Sequence, residues 1–257
     1  MSKINGVLLD ITGVLKEGDS PIKNSVEAVA RLREKGMKVR FVTNETQETK
    51  KSLVSRLSKM GFTLTEEEVI SPCPAMAHEL RRTGLRPHLL VHPTVLEEFD
   101  GVSTENPNCV VIGDCAEHFS YENMNKAFRV LINMSEPLLY SLGKGKYFRE
   151  DGELVLDVGS YAACLEYATG AKSKIVGKPE PTFFQTALDM MQIKAEEAVM
   201  VGDDLVSDVG GAQGCGIKGI LVRTGKFRPA DERHPEVKPF FIADDLHHAV
   251  NHIISLL

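Results

Sequence analysis

Short apolar runs alternate with helical segments along most of this chain, and this alternation is the feature that most restricts its fold. Residues 7–9, 39–42 and 198–201 are mostly apolar, as expected of strands that are buried on both faces. The segments between such runs carry apolar residues at helical spacing, and the first of them stops at Gly36. The pattern predicts an α/β fold with a doubly wound parallel sheet, a Rossmann-like core.

The middle of the chain has a different texture. It contains three further apolar runs and one clearly amphipathic helix, which is enough for a small α/β domain. The polar motifs described next lie on either side of this stretch. We therefore predict a core domain formed by residues 1–76 and 173–257, interrupted by an inserted α/β domain over residues 77–172.

Polar residues follow four of the predicted core strands, the third of which is expected at residues 174–176. Ligands of open α/β sheets bind at the carboxyl ends of the strands, so these residues should meet at one edge. They are Asp10 and Thr12, Thr43 and Asn44, Lys178, and Asp203 with Asp204 and Asp208. A carboxylate at a strand end can attack phosphorus, and a cluster of oxygen ligands suits Mg²⁺. A hydroxyl and a lysine can hold phosphoryl oxygens.

The order and spacing of these segments resemble the four motifs of the haloacid dehalogenase superfamily. The matching segments are residues 10–14 (Asp-Ile-Thr-Gly-Val), Thr43 with Asn44, Lys178, and residues 202–208 (Gly-Asp-Asp-Leu-Val-Ser-Asp). The resemblance covers nearly the whole chain, and the insertion is similar to the α/β cap of the class II members. It implies a Mg²⁺-dependent phosphatase that works through an aspartyl-phosphate.

The resemblance also implies a role for each matched residue. Asp10 is the expected nucleophile, and Asp10, Asp203 and the backbone carbonyl of Thr12 are the expected Mg²⁺ ligands. Asp204 and Asp208 are expected to support the metal shell. The residues expected to bind the phosphorylated substrate are Asp10, Ile11, Thr12, Thr43, Asn44 and Lys178.

Thr12 departs from the superfamily pattern. Most of its phosphatases have a second aspartate at this position, two residues after the nucleophile, which serves as general acid and base. A hydroxyl protonates a leaving alkoxide poorly at neutral pH, whereas anhydride and phosphoramidate leaving groups need less help. Thr12 therefore favours P–O–P and P–N substrates. Other stretches, including residues 106–111 and 223–229, resemble superfamily members that hydrolyse inorganic pyrophosphate, phosphohistidine and phospholysine.

Two other functions stay open at this point. One is a phosphomonoesterase for a small phosphorylated metabolite, and the other is a phosphate-binding scaffold without catalysis. Lys144 and Lys146, in a glycine-rich turn of the insertion, are either contacts for a distal phosphate or an exposed basic turn. Three histidines near the C-terminus are interpreted as surface residues of a helix and not as a metal site; they are His247, His248 and His252.

Composition restricts the partners and the location. The formal net charge is −6 and the basic residues are scattered, so no nucleic-acid partner is expected. A membrane span needs about 20 consecutive apolar residues, and no segment approaches that length. The N-terminus lacks the features of a signal peptide. The five cysteines show no metal or redox spacing. We predict a cytoplasmic protein, with the nucleus as an open alternative; a homodimer is implied by the resemblance alone.

Overall fold

The computed structural model describes residues 3–150 and 153–257. Within these residues the chain forms two compact units. The first comprises the chain up to Thr43, Leu53–Ile70 and Lys178–Leu257, and the second comprises Asn44–Ser52 and Ser71–Gly177. The second unit is therefore inserted, in sequence, into the first. The predicted domain limits at residues 77 and 172 stay a prediction.

Strands and helices alternate along the described chain. In chain order the strands are β1 (Gly6–Leu9), β2 (Lys16–Glu17), β3 (Ser20–Pro21), β4 (Lys38–Val42), β5 (Val69–Ile70), β6 (Pro87–Leu90), β7 (Cys109–Ile112), β8 (Leu139–Ser141), β9 (Tyr147–Glu150), β10 (Glu153–Leu156), β11 (Lys174–Ile175), β12 (Ala198–Gly202), β13 (Lys218–Val222) and β14 (Phe241–Ala243). The helices are α1 (Ser25–Glu34), α2 (Lys50–Lys59), α3 (Pro72–Thr83), α4 (Tyr121–Ile132), α5 (Val158–Thr169), α6 (Pro181–Met191), α7 (Gly211–Gly214) and α8 (Leu246–Ser255).

The first unit is built on a parallel sheet with the strand order β14-β13-β12-β1-β4-β5. Strand β1 lies between β12 and β4. From β1 the chain continues to β4 and β5 on one side, and it later returns to β12 on the other side of β1. This is the topological switch point at which open α/β sheets bind ligands. Every residue of β1 and β12 is buried, as expected of parallel strands covered on both faces. The predicted doubly wound α/β core is confirmed.

The apolar side chains of one face of this sheet pack against three helices. Val7, Leu9 and Phe41 of the sheet share a core with the buried faces of α1, α2 and α8. In α1 the buried residues follow the helical spacing seen in the sequence, and the helix ends where Gly36 takes a left-handed conformation. This packing fixes the position of β1, and therefore of Asp10, the residue that follows it.

The apolar run at residues 174–176 predicts a core strand, and this prediction is wrong. Strand β11 pairs in parallel with β8 of the second unit, with Lys174 opposite Tyr140 and Ile175 opposite Ser141. Apolar patterning reports that a strand is buried and carries no information about which neighbour it pairs with. Lys178 consequently follows a strand of the second unit, through residues 176–177, although Lys178 itself belongs to the first.

The second unit has its own parallel sheet in the order β11-β8-β7-β6, together with the β9–β10 hairpin. Helices α3, α4 and α5 supply buried side chains to its core. The segment Asn44–Ser52 is joined to this unit by hydrogen bonds: Gln47 donates to Asp114 at 2.8 Å, and the Asp114 amide donates to Thr46 Oγ1 at 3.0 Å. The chain therefore enters this unit directly after Thr43.

All five cysteines are free thiols, and three of them are buried: Cys73, Cys109 and Cys115. In the part of the chain that the structure describes, each helix is too short or too polar to cross a membrane.

Removal of the Phe41 side chain is expected to destabilise the protein strongly, because Phe41 is fully buried in the main core. We expect Phe41→Ala to lower the free energy of unfolding by about 3–5 kcal/mol, through lost burial and the cavity left behind. The measurement is urea unfolding followed by circular dichroism. Phe240→Ala is the matched control, since Phe240 is 38% exposed, and it should cost less than half as much. Equal losses for the two variants would contradict this assignment of the core.

Candidate active site

Three polar residues follow the ends of adjacent strands of the first sheet. Asp10 follows β1, and its amide donates to the carbonyl of Val201 in β12 at 3.0 Å. Asp203 follows β12, and Thr43 follows β4 on the other side of β1. All three are buried. The strand register thus brings Asp10, Asp203 and Thr43 to one edge of the sheet, at the switch point.

A buried lysine binds two of the carboxylates at this edge. Lys178 Nζ lies 2.6 Å from Asp10 Oδ1 and 2.7 Å from Asp208 Oδ1, and the Lys178 side chain is 3% exposed. Burial opposes the charged amine, but the charges of Asp10 and Asp208 outweigh it and raise the pKa of Lys178. Lys178 is therefore an ammonium ion at neutral pH, and it holds the Asp10 carboxylate in a fixed direction.

The carboxylates of Asp10, Asp203 and Asp208 lie together. One oxygen from each falls within 4.8 Å of the others, and among the described residues they are the one group of three or more Asp, Glu, His or Cys side chains so arranged. Burial, followed by the charges of Asp10 and Asp208, raises the pKa of Asp203 well above its usual value. Burial raises the pKa of Asp208 to about 7, against the opposing effect of Lys178.

The charges of these four side chains favour the binding of a cation. When all three carboxylates are ionised, as metal ligands must be, they and the Lys178 ammonium carry two negative charges in a buried volume. The raised pKa values of Asp203 and Asp208 show that this state is unfavourable without a cation. The donors are carboxylate oxygens, which are the ligands that hard divalent cations such as Mg²⁺ and Ca²⁺ prefer. The residues present therefore fit a divalent metal ion. His247, His248 and His252 form no comparable group with other described residues.

Asp204 and Asp208 have different positions although both follow β12. Asp204 Oδ1 accepts hydrogen bonds from the amides of Val206 and Ser207, at 3.1 and 2.9 Å, and so caps the π-helical segment Leu205–Gly210. Asp208 lies inside that segment, is 1% exposed and receives the Asp204 amide on Oδ2 at 3.1 Å. The structure therefore brings Asp208 to Lys178 and the other carboxylates, while Asp204 fixes the turn that carries Asp208.

The remaining predicted substrate residues differ in accessibility. Thr12 is exposed, so its hydroxyl can meet solvent or ligand. Ile11 is 1% exposed and its side chain packs in the main core, so it can offer a ligand only its main chain. Thr43 is buried, and its amide donates to the Ile70 carbonyl at 3.0 Å. Asn44 belongs to the second unit, where its side chain packs against the backbone of Gly177.

Lys144 and Lys146 are both exposed, in a turn of the second unit. The turn is held against the start of α5: the Gly159 amide donates to the Gly145 carbonyl at 3.0 Å, and Ser160 Oγ donates to the Lys146 carbonyl at 2.6 Å. The two lysines therefore project from a well-anchored backbone, and their role stays a prediction.

One segment at the site lies in residues 223–229, which contribute to the family resemblance, but no site residue was predicted there. The amide of Lys226, in the loop after β13, donates to Asp203 Oδ2 at 2.6 Å. The hydroxyl of Thr224 in the same loop donates to the carbonyl of Gly13. The available sequence signal was a Thr-Gly-Lys tripeptide that begins two residues after the end of a strand, but only the strand order shows that this strand is the neighbour of β12.

Comparison with known proteins gives a consistent result. A haloacid dehalogenase-like hydrolase family model matches residues 7–105, and a HAD-hydrolase-like model matches residues 175–249. The human phospholysine phosphohistidine inorganic pyrophosphate phosphatase is 52% identical over 259 residues, covering 99% of this chain and 96% of that protein.

Solved structures agree. The 4-nitrophenylphosphatase of Thermotoga maritima superposes with a TM-score of 0.88 at 29% identity, covering 97% of each chain. A glycerol phosphate phosphatase of Mycobacterium tuberculosis in complex with calcium superposes with a TM-score of 0.82 at 25% identity, covering 95% of this chain and 74% of that one. From these likenesses, its motifs and its fold, the chain belongs to the haloacid dehalogenase-like hydrolase family.

Proposed function

We propose that this protein is a Mg²⁺-dependent phosphatase that hydrolyses inorganic pyrophosphate and the P–N bonds of phosphohistidine and phospholysine. The observation that carries the proposal is the buried Asp10 carboxylate at the end of β1, bound by Lys178 and grouped with Asp203 and Asp208. The substrate class is supported by the name of the human relative, which is 52% identical over nearly the full length of both chains.

Mg²⁺ is proposed as the metal ion, since phosphatases of this family generally use a divalent cation. Asp10, Asp203 and the backbone carbonyl of Thr12 would hold it, with Asp208 supporting them from beside Lys178. When bound, the ion would supply positive charge that offsets the repulsion between the Asp10 carboxylate and an anionic phosphate.

Asp10 is proposed to attack phosphorus with one carboxylate oxygen. An O–P bond to Asp10 forms while the bond from phosphorus to the leaving group breaks, and the leaving group takes the bonding electron pair. Water then attacks the aspartyl-phosphate, which releases phosphate and regenerates the carboxylate. The ammonium of Lys178 keeps Asp10 oriented and is close enough to bind a non-bridging phosphoryl oxygen, while Thr43 and Asn44 are proposed as further phosphoryl contacts.

Thr12 limits which leaving groups this chemistry can expel. Phosphate leaves pyrophosphate as a stabilised anion, and the nitrogen of a phosphoramidate can carry its own proton, so neither needs a strong general acid. An alkyl phosphate does need one. A phosphomonoesterase is the second candidate, favoured by the likeness to the 4-nitrophenylphosphatase. An aryl phosphate also has a leaving group that stabilises its own negative charge, so it cannot distinguish the two candidates. The decisive comparison is between the hydrolysis of pyrophosphate and that of an alkyl phosphate.

Asp10→Asn is expected to abolish turnover, because the amide cannot act as the nucleophile. We expect Mg²⁺-dependent phosphate release from pyrophosphate to fall by more than about a thousandfold. Asp19→Asn is the matched control, because the Asp19 side chain is 90% exposed, and it should retain full activity. Undiminished activity of Asp10→Asn would remove Asp10 from the role of nucleophile.

Thr12→Asp is expected to shift specificity toward alkyl phosphates by supplying a general acid. General acid catalysis contributes typically about 10²–10⁴-fold, and we expect kcat/KM for glycerol phosphate, relative to pyrophosphate, to rise by at least about tenfold. Thr12→Asn, of the same size but without an ionisable proton, should leave the ratio unchanged. A wild-type protein that already prefers glycerol phosphate to pyrophosphate would favour the phosphomonoesterase instead.

Lys178→Met is expected to destabilise the protein when no metal is present. The substitution leaves the buried carboxylates of Asp10 and Asp208 without their ammonium partner, and loss of one member of a buried ion pair costs about 3–5 kcal/mol. The measurement is urea unfolding in EDTA, with the exposed Lys59→Met as control. Added Mg²⁺ should stabilise Lys178→Met more than wild type, since the variant has more uncompensated negative charge. A stability equal to that of Lys59→Met would contradict this.

A further inference from the structure

The Asp203 carboxylate is enclosed by two loops that close on the same oxygen. Asp203 Oδ2 receives the backbone N–H of Lys226 at 2.6 Å. A side chain on Gly225 would place its Cβ 2.0 Å from this oxygen, and one on Gly13 would place it 2.1 Å away. Both glycines have left-handed backbones, with φ of +58° and +88°. The enclosure therefore requires glycine at both positions, for space and for conformation.

The two loops are also joined directly to each other. Thr224 Oγ1 donates to the carbonyl of Gly13, and the Gly13 amide donates to the carbonyl of Lys16 at 2.8 Å. A Cβ on Gly225 would lie 2.6 Å from the Cα of Gly13, so the backbones are in van der Waals contact. The loop after β13 is therefore fixed on the turn that follows Asp10.

We infer that Thr224, Gly225 and Lys226 form a positioning element that orients the Asp203 carboxylate for a divalent cation. The inference rests on the proposed function only in taking Asp203 as a metal ligand. A carboxylate is planar, so fixing Oδ2 with a backbone N–H also fixes the direction of Oδ1. Such fixing is needed because Asp203 is 2% exposed and its carboxylate, once ionised to bind a cation, is repelled by the nearby charges of Asp10 and Asp208. Outer contacts of this kind tune metal affinity.

The test compares Mg²⁺ affinities of the full chain, measured by isothermal titration calorimetry without substrate. Gly225→Ala adds a methyl group against Asp203 Oδ2. Gly18→Ala is the matched control: Gly18 has a similar φ of +54°, and a Cβ there would meet nothing within 4 Å. The similar φ values give the two variants comparable backbone strain, but only Gly225→Ala places a methyl group against the carboxylate. Thr224→Val and Thr224→Ser form a second pair, which removes or keeps the hydroxyl that ties the loop to Gly13.

We expect Gly225→Ala to weaken Mg²⁺ binding by about 10- to 100-fold relative to Gly18→Ala. Thr224→Val should weaken it in the same direction, while Thr224→Ser should bind like wild type. For Thr224→Val, a higher Mg²⁺ concentration should restore kcat for pyrophosphate. Such rescue is expected of a misplaced ligand and not of general damage to the fold.

Equal Mg²⁺ affinities of Gly225→Ala and Gly18→Ala would overturn the inference. If Gly225→Ala fails to fold, equal affinities of Thr224→Val and Thr224→Ser overturn it instead. Mg²⁺ binding is measured without substrate, so it is independent of turnover. A wild-type protein that binds Mg²⁺ but releases no phosphate from pyrophosphate would contradict the proposed function. The affinities of the variants would still decide the positioning role. A wild type that binds no Mg²⁺ overturns both.

Discussion

The buried contact of Lys178 with Asp10 and Asp208 is the interaction on which the rest of the site depends. It places an ammonium between two carboxylates at the carboxyl edge of a parallel sheet, where burial alone would favour neutral side chains. Without that ammonium, the three grouped carboxylates would repel one another strongly in a volume from which water is excluded. With it, the fully ionised group carries two negative charges, which a divalent cation can neutralise. Lys178 thus reduces the repulsion among the three carboxylates and still leaves the group with a net negative charge that favours a metal ion.

The sheet supplies the positions that this charge balance requires. Because β1 lies between β12 and β4, the residues after these strands meet without any long loop to hold them. The backbone bond from Asp10 to Val201 extends the ladder one residue beyond β1, which leaves Asp10 little freedom of direction. The π-helical segment after β12 then brings Asp208 back to the same edge, with Asp204 as its cap. The geometry of the candidate site is therefore a property of rigid strands and short turns.

Two loops complete the site, one within the first motif and one outside the four motifs. The turn after Asp10 and the loop after β13 close around Asp203, and the closeness of their backbones depends on Gly13 and Gly225. Thr12 lies in the first of these loops and is exposed, so its hydroxyl is accessible to a ligand. Because Thr12 has no acidic proton, the proposed substrates are anhydrides and phosphoramidates, whose leaving groups need no strong general acid. The turn after Asp10 thus takes part in both proposals, the one on metal binding and the one on specificity.

The sequence by itself determined the strand–helix alternation, the doubly wound core and the residues that follow its strands. Asp10, Thr43 and Asp203 could be predicted to meet because parallel strands share one carboxyl edge, whichever order the strands take. Only the tertiary structure decided that β11 pairs with β8, that Asp208 and not Asp204 joins Lys178, and that the Lys226 amide reaches Asp203. The physical reason is common to all three. Apolar spacing records burial along one segment, whereas strand pairing, side-chain direction and the approach of distant loops depend on contacts between residues far apart in the chain.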